Sequence, residues 1–328
     1  MAQKPREDNN QAQTDNAKEC EMRNVCKVSL LSGNGEHKYE PGNNVPRFQE
    51  GQMNDLDNKI RNAIKLLKVF AKDKVVEVSY SGGKDSDVIL ELAKMAGINY
   101  RAIYKNTTID PPHTIAHCKS KGVEIRHPKE RFFDLVKRKG IPTMRARFCC
   151  EVMKEYKILD DSVQGIRRSE STKRAKLYNE PIICRTYGSK KNHVNVCLPI
   201  LDWSDKDVGR FIKERGIKCH PLYYDKQGNF HVERRLGCIG CPLRSDKGKA
   251  DFLKRPKFLK RLIQCATIWW DNNPHNASHR KFPNVYDLVW HNLFCNSYGD
   301  YIKAKQTDLF GKELDCKKYI EQYFGVEL

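Results

Sequence analysis

The chain has 328 residues, 39% of them hydrophobic and 31% charged, which is enough for one large domain or two small ones. Sixty lysines and arginines against 41 acidic residues give a formal charge of +19, which favours a polyanionic partner or a basic surface around a nucleotide site. No apolar stretch could span a bilayer or act as a signal core, so we expect a cytoplasmic protein without a membrane partner, whose 13 cysteines do not form a disulfide framework.

Residues 1–50 are polar and charged, and we expect most of this segment to be disordered, with one short strand at 25–31. Residues 51–245 form the predicted nucleotide-binding domain, in which a helix at 55–72 precedes alternating strands and helices. This alternation predicts an α/β fold with a doubly wound, mainly parallel sheet. Residues 246–328 are basic and predict a helical C-terminal extension. The expected strands lie at 75–80, 99–104, 123–126, 163–166, 181–187 and 194–200, and the expected helices between them at 86–96, 113–122, 129–139 and 204–216.

The motif Ser-Gly-Gly-Lys-Asp-Ser at 81–86 joins a β-branched strand to a helix. A glycine turn at this place lets the backbone approach an anion, and the free N–H groups of the helix N-terminus point at it. Lys84 adds a positive charge, while Asp85 is expected to hold Mg²⁺ or to cap the helix. An ordinary serine–glycine turn is the alternative, and the flanking strand and helix favour the phosphate loop. The residues expected to contact phosphate are Ser81, Gly82, Gly83 and Ser86.

Three segments follow predicted strands, at 81–86, 106–112 and 165–174, and should meet at the carboxyl edge of the sheet. Asp110, in the second segment, is either a catalytic carboxylate or the cap of the next helix. The third segment mixes arginines with hydroxyl groups, which suits a phosphate or sulfate, although a solvated basic loop is the alternative. Its residues expected to contact the nucleotide are Gly165, Arg167, Arg168 and Arg174.

Two cysteine pairs stand out: Cys149 with Cys150, and Cys238 with Cys241 in a C-x-x-C turn. Four thiolates suit tetrahedral zinc or an iron–sulfur cluster. Adjacent cysteines on one centre are unusual for zinc, which favours a 4Fe-4S cluster and leaves zinc as the alternative. A C-x-x-C turn can also be a redox pair, but the thioredoxin-type context of that motif is missing.

These motifs, in this order, resemble those of the phosphoadenosine phosphosulfate (PAPS) reductase family over about residues 70–245. That family belongs to the PP-loop, adenine nucleotide alpha-hydrolase-like superfamily. The resemblance implies that the loop at 81–86 binds an adenine nucleotide and that the arginine segment helps to hold its acidic groups. In the cluster-bearing adenylyl-sulfate reductases, cysteines matching the two pairs in this chain ligate a 4Fe-4S cluster.

The chain departs from the reductases in two respects. It lacks their Glu-Cys-Gly-x-His type motif, and its last cysteine, Cys316, stands in Leu-Asp-Cys-Lys-Lys. Its loop is the intact type found in relatives that split ATP, such as FAD synthetases, tRNA thiolases and the iron–sulfur DNA phosphorothioation ATP pyrophosphatase.

The leading hypothesis is therefore an enzyme that splits ATP into AMP and pyrophosphate, with Mg²⁺, to activate an acceptor for sulfur transfer. The possible partners are a nucleic-acid acceptor and a sulfur donor or reductant protein. The alternatives are sulfonucleotide reduction, in which Cys295 or Cys316 would have to be the nucleophile, and a non-catalytic nucleotide- or nucleic-acid-binding module. We expect the pair Trp269 and Trp270 to pack in the core, with base stacking as the alternative.

Overall fold

The structure, a computed structural model, describes residues 55–187, 192–306 and 313–328. The segment predicted to be disordered at 1–50, with its strand at 25–31, lies outside the described residues. Within the described ranges, no helix combines the length and the apolar character that crossing a membrane requires.

Six strands in the described residues form one sheet with the order β3-β2-β1-β4-β6-β5. Every neighbouring pair is parallel except β5 with β6, so the predicted mainly parallel, doubly wound sheet is confirmed. β1 is buried along most of its length, as expected for a central strand covered by helices on both faces. The strands are β1 Val76–Tyr80, β2 Tyr100–Lys105, β3 Glu124–Arg126, β4 Asp161–Val163, β5 Ile182–Tyr187 and β6 Asn192–Cys197.

The helices that flank or follow the sheet begin and end close to where the sequence predicts them. α2 ends where Gly97 adopts a left-handed conformation with φ of 63°. α7 begins after Ser204, whose hydroxyl and the Asp207 carboxylate cap each other's backbone N–H groups. The described α-helices are α1 Asp55–Phe70, α2 Lys84–Ala96, α3 Thr114–Ser120, α4 Phe132–Lys139, α5 Phe148–Met153, α6 Thr172–Leu177, α7 Asp205–Glu214, α8 Lys249–Lys254, α9 Pro256–Asn272, α10 Val285–Phe294, α11 Tyr298–Lys305 and α12 Cys316–Phe324.

The buried apolar residues of the described ranges form three separate clusters, the smallest of which packs on β5 and β6. The first joins the sheet to α1, α2 and α7. The second joins α4 to the C-terminal helices and includes Trp269 and Trp270, which are 7% and 9% exposed. The tryptophan pair therefore packs in the core, as expected, and does not offer a surface for stacking.

A buried carboxylate connects three strands of the sheet. Glu77, in β1, is fully buried and accepts hydrogen bonds from Lys105 Nζ at the end of β2 and from Ser79 Oγ, both at 3.1 Å. Its second oxygen accepts the backbone N–H of Leu159, just before β4, at 3.1 Å. Burial lowers the pKa of Lys105, although Glu77 opposes this change.

Several elements differ from the prediction. The strand expected at 194–200 is Asn192–Cys197, and α6 was not predicted as a helix. The strand expected at 163–166 is Asp161–Val163, because the chain leaves the sheet before Gly165 to pass against the backbone of Asp85. The six-residue α5 was not predicted, since a helix this short carries almost no periodic signal.

Candidate active site

The phosphate loop connects β1 to α2 in a tight turn that its own serines close. Gly82 has a φ of +77°, a conformation in which a side chain is strained. Ser86 Oγ donates to the Gly83 carbonyl at 2.7 Å, and Gly83 N–H donates to Ser81 Oγ at 3.3 Å. The predicted phosphate-contacting residues therefore share one turn at the start of a helix, where N–H groups and the helix dipole favour an anion.

A buried arginine connects this loop to two other segments. Arg167 is 1% exposed and donates from Nε to Asp85 Oδ1 and from Nη2 to Asp205 Oδ1, both at 2.7 Å. Its Nη1 donates to Ser169 Oγ at 2.8 Å and to the Trp203 carbonyl at 3.2 Å. Burial disfavours the charged guanidinium, but the two carboxylates outweigh it and raise the pKa of Arg167. With these four acceptors, Arg167 fixes the direction of the Asp85 carboxylate.

Lys84 adds a second positive charge, next to that of Arg167, beside the carboxylates of Asp85 and Asp205. Its Nζ lies 3.3 Å from Asp85 Oδ2 and 4.0 Å from Asp205 Oδ1. The Asp205 side chain is about half exposed, at 53%, so one carboxylate of this group is open to solvent. Asp205, which the sequence analysis missed, thus adds a second carboxylate beside the predicted Lys84 and Asp85.

The residues predicted in the arginine segment lie in two different environments. A Cβ added to Gly165 would lie 2.9 Å from the Asp85 carbonyl oxygen, so Gly165 and Arg167 both contact the loop segment directly. Arg168 donates to the carbonyls of Tyr178 and Asn179, and Arg174 pairs with Glu170. These contacts hold the segment itself, and a role for Arg167, Arg168 or Arg174 in nucleotide binding stays a prediction.

Asp110 lies at the end of β2, against the C-x-x-C segment. Its Oδ2 accepts the Thr107 N–H at 2.8 Å and the Tyr104 hydroxyl at 2.5 Å, and the Cys238 thiol lies 3.9 Å from its Oδ1. The residue that precedes α3 as its N-cap is His113, so Asp110 does not cap that helix. Its catalytic role stays a prediction, and its contacts connect the second segment to the cysteines.

The two predicted cysteine pairs come together, all four side chains being half-buried. A hydrogen bond with Cys150, burial, and the nearby Cys238 and Cys241 raise the pKa of Cys149. Hydrogen bonds from Cys149 and Arg147 instead lower the pKa of Cys150, to about 6. In the described ranges, no set of three or more Cys, His, Asp or Glu side chains has the arrangement of a ready metal site.

Lys154 lies one turn after the first cysteine pair, and its ammonium group is near the cysteines of both pairs. Although Lys154 is exposed to solvent as a residue, desolvation of its ammonium group disfavours the charge, and Cys238, Asp110 and Cys150 outweigh this effect and raise its pKa. Because thiol and carboxylate groups lie near this ammonium, it balances part of the negative charge that four ionised thiols would carry.

The hydroxyl of Tyr223 connects the phosphate loop to the cysteine segment. Tyr223 is 2% exposed, and its hydroxyl accepts the N–H of Lys84 at 3.1 Å and the N–H of Leu236 at 3.4 Å. Leu236 stands two residues before Cys238, and its side chain also covers Gly82. The contact joins positions 139 residues apart, and no local pattern in the sequence indicates it.

Replacing Tyr223 by phenylalanine should weaken adenine-nucleotide binding about threefold to tenfold, because an N–H group of the first turn of α2 loses its partner. Calorimetric titration with ATP would measure this. The matched control is Tyr224→Phe, since the Tyr224 hydroxyl accepts the Cys219 N–H and not an N–H of the loop. Equal affinities in the two variants would contradict the assignment.

The comparisons with known proteins fit this geometry. The family described as phosphoadenosine phosphosulfate reductase domain matches residues 75–244, which include the loop, the arginine segment and both cysteine pairs. The chain belongs to this family. The match supports the motif assignment as a whole, whereas the role of each residue rests on the contacts described above.

Curated relatives of this PAPS reductase-domain protein include an uncharacterized protein of Methanocaldococcus jannaschii. It is 30% identical over 255 residues, covering 73% of this chain and 58% of the relative. The phosphoadenosine 5'-phosphosulfate reductase of Vibrio vulnificus is 39% identical over 74 residues, or 22% of this chain and 26% of that protein. The chain thus spans less than two thirds of the length of these relatives. Among solved structures, a PAPS reductase from Candida auris in its phosphate complex is similar with a TM-score of 0.38 and 16% identity, covering 58% of this chain and 98% of that one.

Proposed function

We propose that the chain splits ATP into AMP and pyrophosphate and thereby activates an acceptor for sulfur transfer. The observation that carries this proposal is the intact phosphate loop with Lys84, Asp85 and Asp205 beside it. An oxygen of the acceptor would attack the α phosphorus and form a new P–O bond. The bond between this phosphorus and the bridging oxygen would break, and pyrophosphate would leave with its electron pair. A sulfur donor would then displace AMP from the acceptor.

Each residue of the loop has a task in this proposal. The N–H groups at the start of α2 and the hydroxyls of Ser81 and Ser86 bind phosphate oxygens, and Lys84 stabilises the charge that develops on pyrophosphate. Asp85, held by Arg167, and Asp205 would hold Mg²⁺, which neutralises phosphate charge. Asp110 stays a candidate for orienting the acceptor.

We propose that the four cysteines hold a 4Fe-4S cluster and not a single zinc ion, because adjacent cysteines on one centre are unusual for zinc. A zinc ion draws four thiolates to about 2.3 Å from one centre. The described side chains form no ready metal site, and Cys149 lies near enough to Cys150, Cys238 and Cys241 for them to raise its pKa. A four-iron cluster accepts thiolates that lie further apart. We therefore assign Cys149, Cys150, Cys238 and Cys241 to a cluster, which would supply sulfur or electron chemistry or would hold the segments together.

The proposal is tested on anaerobically purified protein by iron and acid-labile sulfide analysis and by pyrophosphate release from ATP and Mg²⁺ with nucleic-acid acceptors. We expect the native chain to bind iron and Cys238→Ser to lose it. We expect pyrophosphate release to be about a hundredfold lower in Lys84→Ala than in the native chain. The matched control is Lys94→Ala, at the exposed end of the same helix. Failure to release pyrophosphate with every acceptor would exclude ATP splitting.

Sulfonucleotide reduction is the second candidate, favoured by the family and by the named reductase relatives. It requires a thiolate that attacks the sulfate sulfur. Cys295 and Cys316 are 6% and 2% exposed, and burial, with Asp287 nearby, raises the pKa of Cys316 to about 12. A buried thiol of this kind is a poor nucleophile, which favours the ATP-splitting hypothesis.

Cys316 should therefore react slowly with iodoacetamide in the native protein at pH 8. Its native pKa of about 12 is above the usual thiol value near 8.5, so the thiolate fraction at pH 8 is smaller in the folded chain than in the unfolded one. We expect labelling at least about a hundredfold slower than in urea. The native rate should keep rising with pH up to about 11, whereas the rate in urea levels off above about 9.

Peptide mapping by mass spectrometry at several pH values measures these two rates. Rapid native labelling at pH 8 would make Cys316 an available nucleophile and would restore the reductase hypothesis.

A further inference from the structure

A large cavity of about 770 Å³ lies between the C-x-x-C turn and the C-terminal helices. One side is formed by the loop 141–145, which leads toward Cys149, and by Ile239 and Gly240 of the turn. The opposite side is formed by α9, α10 and the start of α11. None of the residues 81–86 lines it, so this cavity is distinct from the phosphate loop.

The charges that line the cavity are all positive. Its lining includes Arg145, Lys247 and Lys281, and no aspartate or glutamate is among the described lining residues. The chain as a whole contains 41 acidic residues, so this bias is local and complements an anion.

One wall of the cavity is aromatic and offers polar groups beside the rings. The ring of Phe282 lies 5.1 Å from that of His291 and 5.7 Å from that of Tyr298. Lys281 Nζ lies 5.8 Å from the centre of the Tyr298 ring, which is itself 39% exposed. His291 Nε2 is buried and has no hydrogen-bond partner among the described residues. Asn292 is another polar residue in the lining.

We propose that this cavity binds a nucleotide residue. A cavity of this volume accepts a molecule of that size. The aromatic wall suits the face of a base, His291 and Asn292 suit its polar edge, and Lys281 and Arg145 suit its phosphate. An aliphatic anion has no aromatic ring to pack on the aromatic wall, and it has no base edge to pair with His291 Nε2.

The nucleotide residue has two possible sources, a free mononucleotide and a single-stranded nucleic acid. Because the cavity adjoins the C-x-x-C turn, a single strand there would be the acceptor of the proposed sulfur transfer. That identification rests on the proposed function, whereas the binding itself does not.

The test measures binding to the full chain by fluorescence anisotropy, with the phosphate loop filled by α,β-methylene-ATP. The probes are a short fluorescein-labelled single-stranded DNA, its RNA counterpart and a fluorescein-labelled AMP. We expect Lys281→Glu and Tyr298→Ala each to weaken binding about tenfold. Lys213→Glu is the control for charge, since Lys213 is exposed on α7, outside the cavity. Circular dichroism establishes that each variant is folded.

Binding of the single strands identifies nucleic acid as the source, and binding of the labelled AMP without strand binding identifies the free nucleotide. The proposal is overturned if no probe binds, or if the two cavity variants bind every probe as tightly as Lys213→Glu does. Lys84→Ala separates the two proposals, because it should lose pyrophosphate release and keep strand binding.

Discussion

Replacing Arg167 by methionine should lower the free energy of unfolding by about 3 kcal/mol and abolish measurable nucleotide binding. Methionine keeps much of the apolar volume but removes every hydrogen bond that the Arg167 guanidinium donates. The Asp85 carboxylate then keeps only Lys84 Nζ, at 3.3 Å, of the two cations described beside it, and it repels the phosphates. Breaking a buried ion pair from one side is costly because the other charge stays poorly solvated.

The matched control for Arg167→Met is the neighbouring Arg168→Met. Arg168 is half-buried, pairs with Asp202, whose side chain is 68% exposed, and donates to two backbone carbonyls, so its loss should cost about 1–2 kcal/mol, less than that of Arg167. Urea unfolding and ATP titration measure both quantities. Adding Asp205→Asn to Arg167→Met should recover part of the stability, because it removes one of the two unpaired carboxylates. Equal stability of Arg167→Met and Arg168→Met would contradict this account.

Replacing Gly165 by alanine should weaken ATP binding at least about tenfold and destabilise the fold by about 1–3 kcal/mol. The added Cβ would lie 2.9 Å from the Asp85 carbonyl oxygen and 3.0 Å from its carbon. These are backbone atoms of the first turn of α2, so they can move only if the N-terminus of the helix that binds phosphate moves with them.

Gly209→Ala is the control for the Gly165 variant. Gly209 lies inside α7, where the added Cβ would only reach ordinary contact with Val232 at 3.7 Å. Alanine in a helix interior should stabilise the chain by about 0.5–1 kcal/mol, the opposite sign. Thermal unfolding and ATP titration of both variants measure the difference. ATP affinity unchanged by Gly165→Ala would remove the third segment from the site.

The parts of the site that the sequence could predict are those fixed by local pattern. The phosphate loop follows a β-branched strand, and the C-x-x-C turn has a characteristic cysteine spacing. Each can therefore be recognised from a few consecutive residues. The sheet could be predicted because strands and helices alternate along the chain. The topology then places the phosphate loop and Gly165 at the same edge, as expected.

The remaining parts depend on contacts between distant positions. Asp205 looks like an ordinary acidic residue in the first turn of a helix, yet it shares Arg167 with Asp85. Tyr223 reaches Lys84 across 139 positions. Arg167 was predicted as a phosphate ligand from its charge, while its burial and its four acceptors follow only from the packing of three segments. Such contacts leave no periodic signal in the sequence.

The buried Glu77 also has a consequence for how the sheet assembles. A shift of one residue between β1 and β2 would turn Lys105 to the opposite face of the sheet and leave the buried Glu77 carboxylate without its cation. The same carboxylate holds the backbone before β4 through Leu159. Misaligned pairings of these three strands are therefore penalised together, so a costly buried charge selects one alignment of the central strands during folding.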